Sequence, residues 1–294
     1  MLTQGKDDNE TGRKKDKQDT VNTTTREYIH GDSMTICTLA SSSSGNCTIV
    51  SHGNTHLLVD DGISMRRVKE GLRRFGLSPD SLTAILITHE HTDHISGVGM
   101  LIKYFKTPVF TSCGAGDGIC NVIPEAGPYV NCFETGAAFE LGDITVRSFR
   151  TPHDATESVG FKLMAGGKAL VYATDLGHVT DEVIQAALGS DIALIEANHD
   201  HEMLRNGPYP DFLKKRIRSK LGHLENCDCG AFATRLAQSG TRYLQLSHLS
   251  RENNTPSLAR RTVAGSLEEA GISNGKDVEL DVAPPFTPGR TYVL

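Results

Sequence analysis

Residues 83–94 read TAILITHEHTDH, an apolar, strand-like run that ends in three histidines and an aspartate: His89, His91, Asp93 and His94. A rigid strand that delivers imidazoles and a carboxylate onto one short turn makes a preorganised site for divalent metal ions, because those are groups such ions take. His89 and His91, two positions apart, reach one ion; Asp93 and His94, further round the turn, reach a second. A solvated polar loop is the plain alternative, yet composition alone places HxHxDH in a chain of this kind on the order of once in a thousand. Four groups cannot complete two sites, so more donors must come from other strand ends. His153 follows the strand-like run 144–150, Asp175 closes the run 169–174, and His248 closes the run 241–247. Each alone reads as an ordinary polar residue about as often as a ligand. In this order, at three strand ends, they read as one site.

Strand-like runs at 34–40, 47–51, 56–60, 83–88, 144–150, 159–165, 169–174, 191–197 and 241–247 are interleaved with helical patterns at 64–76, 98–105, 181–188, 211–222, 225–238 and 257–271. Two successive blocks of strands and helices imply stacked α/β halves. Between the short strand at 108–112 and the run at 144 the sequence reads as loop-rich. Residues 1–33 mix both signs of charge with few sizeable apolar groups, which predicts a disordered polar tail ahead of one domain over 34–294.

The net charge of −6 argues against a general basic coat for nucleic acid, and the absence of Trp leaves no evident base-stacking platform. A local basic face stays open, since Lys214, Lys215, Arg216, Arg218 and Lys220 fall in the helical pattern at 211–222. The seven cysteines, without a CxxC pair, read as free thiols in a reducing cytoplasm, and Cys227-Asp228-Cys229 has no partner at zinc-finger spacing. No apolar run approaches the ~18 residues of a membrane span, so neither a span nor a signal peptide is expected.

The order of these motifs resembles the metallo-β-lactamase superfamily, whose α/β (α+β) fold is a four-layer αββα sandwich with its ligands along one edge. The resemblance implies a first metal on His89, His91 and His153, a second on Asp93, His94 and His248, and Asp175 bridging them. Asp60 of LLVDDG would support the metal loop. The segments LASSSSGN (39–46), LLVDDGIS (57–64), LIEANHDHEMLRNGPYP (194–210), GHLEN (222–226) and HLSRENN (248–254) are similar to the YycJ/WalJ branch. Members of that branch are 5′→3′ exonucleases on DNA, related to tRNase Z and RNase J. Asp61 departs from the branch, which usually has Cys there, and Glu225 departs where it usually has Ser. The short interval between Asp175 and Glu196 leaves no room for the inserted domain of RNase J, and the long arm of tRNase Z has no counterpart.

The implied activity is a metal-dependent phosphodiesterase, with two Zn²⁺ or Mn²⁺ ions ~4 Å apart that share a hydroxide and stabilise the attacking and leaving oxygens. Asp93 would orient that hydroxide. Glu196 and His223 resemble the glutamate and histidine that tRNase Z relatives use beyond the metal ligands. In that reading His223 protonates the departing alkoxide, held and kept charged by Glu196. Hydrolases of small esters, thioesters, lactones or cyclic phosphodiesters share the metal motifs, as do RNA-processing nucleases. The Glu196–His223 pair, with Lys214, Lys215 and Arg218 as candidate phosphate contacts, favours nucleic acid, DNA before RNA. A scaffold without turnover would be expected to have lost a ligand, and none is lost. The oligomeric state is left open, a homodimer being one candidate.

Overall fold

The computed structural model describes residue 1 and residues 32–294; the tail expected over 1–33 falls, but for residues 1, 32 and 33, outside them. The first half of the chain supplies β1 (Thr35–Ala40), β2 (Cys47–His52), β3 (Thr55–Val59), β4 (Ala84–Leu86), β5 (Val109–Ser112) and β6 (Val130–Phe133). The second supplies β7 (Ala138–Leu141), β8 (Ile144–Arg150), β9 (Val159–Ala165), β10 (Lys168–Ala173), β11 (Ile192–Glu196), β12 (Tyr243–Ser247) and β13 (Glu279–Val282), and the chain closes with β14 (Thr291–Val293). Two sheets result, in the orders β14-β1-β2-β3-β4-β5-β6 and β13-β12-β11-β10-β9-β8-β7. Each starts as an antiparallel meander and turns parallel, from β3 onward in the first and from β10 onward in the second. The chain's last strand returns to the first sheet, where β14 pairs antiparallel with β1.

The period-2 alternation of a strand builds the layers. Ile36, Leu57, Val59 and Leu86 of the first sheet face Leu163, Leu170, Tyr172 and Leu194 of the second in a core between the sheets. Their neighbours Cys37, Leu39, Leu58 and Ile85 point the other way, under α1 (Met65–Arg73) and α3 (Val98–Phe105). On the far side Val171, Ala193, Ile195, Leu244 and Leu246 lie under α5 (Asp181–Ala187), α8 (Asn226–Gln238) and α9 (Pro256–Glu269). Strands covered on both faces read as unbroken apolar runs, which is why AILI and DIALIEA carry no polar alternation. The result is the expected four-layer αββα arrangement. Among the described residues no helix is long and apolar enough to cross a membrane.

The stretch that reads as loop holds α4 (Cys113–Val122), a 3-10 turn, β6 and β7. Three glycines hide the helix, because glycine lowers helix propensity by about 1 kcal/mol relative to alanine. Tertiary packing demands them. A methyl group on Gly114 would lie 2.7 Å from Glu157 Cβ, on Gly116 2.7 Å from Cys132 Sγ, and on Gly118 2.6 Å from Glu90 Cγ. This flattened helix therefore leans on the residue between His89 and His91. The basic helix is also shorter than expected: α7 (Asp211–Ile217) follows α6 (His201–Asn206), and the chain then turns, with the His223 amide donating to the Ile217 carbonyl.

Gly62 ties the first sheet to the metal loop. Its amide donates to the Asn46 carbonyl at 2.8 Å, and a methyl group there would run into the carbonyl of Asp93. Gly62→Ala is expected to cost about 1–3 kcal/mol by overpacking. Gly127→Ala, where nothing lies within 4 Å, should cost far less. Denaturant unfolding of both variants checks this, and equal losses would refute it.

Candidate metal centre

The donors converge at the carboxyl ends of the strands. Asp60 follows β3, Asp175 lies two residues past β10, and His248 follows β12, and all three adopt left-handed backbone with φ of 58°, 58° and 57°. Non-glycine residues pay of order 1–3 kcal/mol for such conformations and keep them where surrounding structure enforces them. Here the left-handed residue swings each side chain off its strand toward the shared rim. His89 and His91 leave β4, and α2 (Thr92–Ile95) then carries Asp93 and His94 in a single turn.

His91 Nδ1 lies 3.0 Å from His89 Nε2 and 3.3 Å from His153 Nε2. Asp93 Oδ2 lies 3.4 Å from His94 Nε2 and 3.3 Å from His248 Nε2. Within each set, His89–His91–His153 and Asp93–His94–His248, the ligand atoms lie within 4.8 Å of one another. Asp175 sits between the two sets, with Oδ1 3.7 Å from His153 Nε2 and Oδ2 3.4 Å from His94 Nε2. That Oδ2 is fully buried with no hydrogen-bond partner. A buried, unpartnered carboxylate oxygen facing imidazole nitrogens is costly in a bare protein and is supplied by a cation. The residues present therefore fit divalent metal binding.

Buried carboxylates aim the rings. Asp60 Oδ1 accepts from the Thr88 amide at 2.9 Å, while Asp60 Oδ2 meets His94 Nδ1 at 2.8 Å and the Tyr172 hydroxyl at 3.3 Å. Glu196 serves the second sheet in the same way. Its Oε1 lies 2.8 Å from His248 Nδ1 and 2.8 Å from His223 Nδ1, and its Oε2 accepts from the amides of Leu176 and Leu224 at 2.6 and 3.2 Å. His153 Nδ1 donates to the Gly222 carbonyl at 3.0 Å. With Nδ1 so occupied, His94, His153 and His248 present Nε2 to the centre, the arrangement by which outer groups orient metal-binding imidazoles.

Burial would by itself neutralise every group here. It lowers His89, with repulsion from His94, His153 and His91 adding to it, and it lowers His153. In His94 burial is outweighed by Asp60, Asp93 and Asp175, and in His248 by Asp175, Asp93 and Glu196, so both move up. Burial likewise pushes the carboxylates up, but His94 and His248 hold Asp93 down, His248, His94 and His153 hold Asp175 down, and His223 and His248 hold Glu196 down. The carboxylates are thus held ionised by protonated imidazoles, whose place as counter-charge a metal ion would take.

His223, half-buried, meets Glu196 through Nδ1, with its ring 5.0 Å from His153 and 5.2 Å from His248. Of the basic residues, Lys215 and Arg218 are exposed, and Lys214 Nζ donates to the Arg205 carbonyl at 2.9 Å. The guanidinium turned toward the centre is Arg216, gripped at two points by Asp154, whose Oδ1 is 3.5 Å from His153 Nε2. The flat run of cations in this helix gave no means to single it out. His199 was missed as well. It is buried with Nδ1 unpartnered, and burial lowers it to about 4. Its ribbon runs beside the His223 segment, His199 opposite Glu225, and the His-x-His pair straight after β11 was the available signal. Two residues of SSSSGN also reach the rim: Ser41 Oγ accepts from the His248 amide at 2.7 Å, and Asn46 Nδ2 lies 3.2 Å from His94 Nε2. Cys229 is buried in the core and Cys227 is exposed, so the Cys-x-Cys pair holds no site together.

A family model described as the beta-lactamase superfamily domain matches residues 55–249. The chain is 37% identical over 259 residues to the exodeoxyribonuclease WalJ of Streptococcus pneumoniae, covering 85% of this chain and 96% of that one. It is 35% identical over 255 residues to the exodeoxyribonuclease YycJ of Bacillus anthracis, covering 86% and 96%. In structure it is similar to the metallo-beta-lactamase fold protein YhfI from Bacillus subtilis, with a TM-score of 0.66 at 17% identity over 90% of this chain and all of that one.

Asp61 is the discordant group of the rim. Its carboxyl is buried against Gly97 with neither oxygen hydrogen-bonded, and burial, then the charge of Asp60, raises it to about 8. The folded protein thus keeps a proton that the unfolded chain releases near pH ~4, so this group's contribution falls as pH climbs between those values. Asp61→Cys is expected to stabilise the chelated protein by about 1–3 kcal/mol, the scale of an unsatisfied buried group. The gain should grow with pH up to about 8. Urea midpoints at both ends of that range test it; a pH-independent difference would count against it.

Proposed function

The chain belongs to the β-lactamase superfamily and, within it, to the family of the WalJ and YycJ exodeoxyribonucleases, and on that footing we propose that it is a metal-dependent nuclease that hydrolyses DNA phosphodiester bonds from the 5′ end. The observation that carries the reading is His223. It stands beside the donor cluster, its Nδ1 is taken by Glu196, and its Nε2 is left for a substrate. Hydrolysis of an activated ester needs no such group, whereas expelling an alkoxide from phosphorus does.

Two ions are proposed because the donors form two sets sharing Asp175: His89, His91 and His153 for one, Asp93, His94 and His248 for the other. A donor set of nitrogen and oxygen alone suits Zn²⁺ or Mn²⁺. When bound, such ions supply Lewis-acid activation of water and offset charge on the phosphate oxygens. Asp93, the half-buried member of an otherwise buried set, accepts a hydrogen bond from the incoming water and orients it. His223 gives its Nε2 proton to the departing oxygen while Glu196 fixes the ring. Arg216, tethered by Asp154, binds the phosphate beside the scissile one, and Lys215 and Arg218 lead the strand in; Lys214 adds charge, its ammonium being engaged. Seven free cysteines fit a reducing compartment, and we place the protein in the cytoplasm.

Elemental analysis after reconstitution is expected to find two ions per chain. Asp175→Ala should lose metal and activity together, and full activity in that variant would remove Asp175 from the centre.

His223→Ala should keep its metal and lose about 10²–10⁴-fold on DNA, the range for a lost general acid. Its activity on a p-nitrophenyl phosphodiester, whose leaving group needs no proton, should be far less affected. Equal losses on both substrates would rule the role out.

A further inference from the structure

Unpaired positive charge also gathers away from α7. Residues 64–82 and 98–106, which carry α1 and α3, hold Arg66, Arg67, Lys69, Arg73, Arg74, Lys103 and Lys106 against only Glu70 and Asp80, and of the seven Arg67 alone turns a buried guanidinium nitrogen inward, off the outer face. The chain as a whole is net acidic at −6, so this face opposes the overall charge. We propose that the outer face of α1 and α3 docks the phosphate backbone of the DNA strand that the metal centre consumes, as a track separate from α7; this rests on the nuclease reading above.

Helix geometry makes the ridge. Val68 and Leu72 are buried, which leaves Arg66, Lys69 and Arg73, at steps of three and four, exposed along one line. Among the described residues none of the seven cations forms an ion pair, whereas Lys168, Arg205, Arg216 and Arg290 each hold a carboxylate. Lys69 Nζ lies 5.3 Å over the Phe105 ring and joins the two helices into one surface. Tyr104, 59% exposed beneath Lys103 Nζ, and Met100, 43% exposed, offer flat apolar area among the charges. Next to them a cleft of about 510 Å³ is lined by Lys103, Lys106, Ile102, Ile123 and Tyr129, with Glu125 as its one acid. Cations spaced along a groove with an aromatic face beside it are what a single strand needs, since phosphates take the charge and bases stack.

The face begins at the metal centre. Gly62, three residues before α1, packs on the Asp93 carbonyl, and the Gly97 amide, one residue before α3, donates to the Asp61 carbonyl at 2.8 Å. Both helices therefore start at the ligand loop and run outward from it. The nine residues of α1 span ~13 Å, roughly four phosphates at the spacing along one strand of B-form DNA.

The test titrates fluorescein-labelled single strands of about 5 and about 25 nucleotides with full-length chelated protein between roughly 50 and 200 mM salt. The longer strand should bind with the steeper salt dependence. Arg66→Gln/Lys69→Gln/Arg73→Gln should flatten that slope by about two log–log units, at ~0.7 per phosphate contact. Lys103→Gln/Lys106→Gln, on the other helix, should flatten it by about one. Both variants replace exposed side chains only. Unchanged slopes in both overturn the proposal. So does weakened binding to phosphatidylserine vesicles with DNA binding intact, which would make the face a membrane contact. If the metal-loaded wild type degrades DNA while the slopes stay unchanged, the docking face alone falls; if it leaves DNA intact, the nuclease reading falls and takes this inference with it.

Discussion

Two buried carboxylates, Asp60 and Glu196, set the aim of the whole rim. One comes from each sheet, each is fully enclosed, and between them they orient His94, His248 and His223. A buried carboxylate survives only with its oxygens satisfied. Here the satisfying groups are the Thr88 amide and the Tyr172 hydroxyl on one side and the Leu176 and Leu224 amides on the other, so the anchors are rigid before any ion arrives. The strained backbone at Asp60, Asp175 and His248 is the counterpart of that rigidity, since the left-handed turns hold only while these contacts enforce them.

Much of this was legible in the chain. HxHxDH after an apolar run marked four side chains that the fold draws into one cluster, and the expectation that ligands collect at strand ends marked His153, Asp175 and His248, which join it. The layer order followed from apolar runs that are continuous because both faces of each strand are covered. The failures share a cause. In α4 the glycines at 114, 116 and 118 look like loop, yet each marks a close approach to Glu157, Cys132 or Glu90 that a local pattern cannot show. Arg216 is distinguished from its basic neighbours only by Asp154, 62 positions away in sequence. Glu196 was paired with His223 alone, while the fold makes it the partner of His248 too.

Charge is distributed with similar economy. The centre concentrates ionised carboxylates, whereas α1 and α3 gather cations with few acids beside them. A polyanion drawn to the outer helices meets its counter-charge there, and screening confines that attraction to roughly a Debye length, ~8 Å at physiological salt.

The return of β14 to the edge of β1 has a kinetic meaning. Thr35 pairs with Val293, so the first sheet to be synthesised is the last to be finished. The same holds for the rim, where the His248 amide must find Ser41, 207 positions earlier. Contacts so distant in sequence form late, because the loop they close must be ordered before they repay it. A growing chain on the ribosome therefore carries four donors on its metal loop but no complete centre. The rim closes only once His248 has been made and has found Ser41.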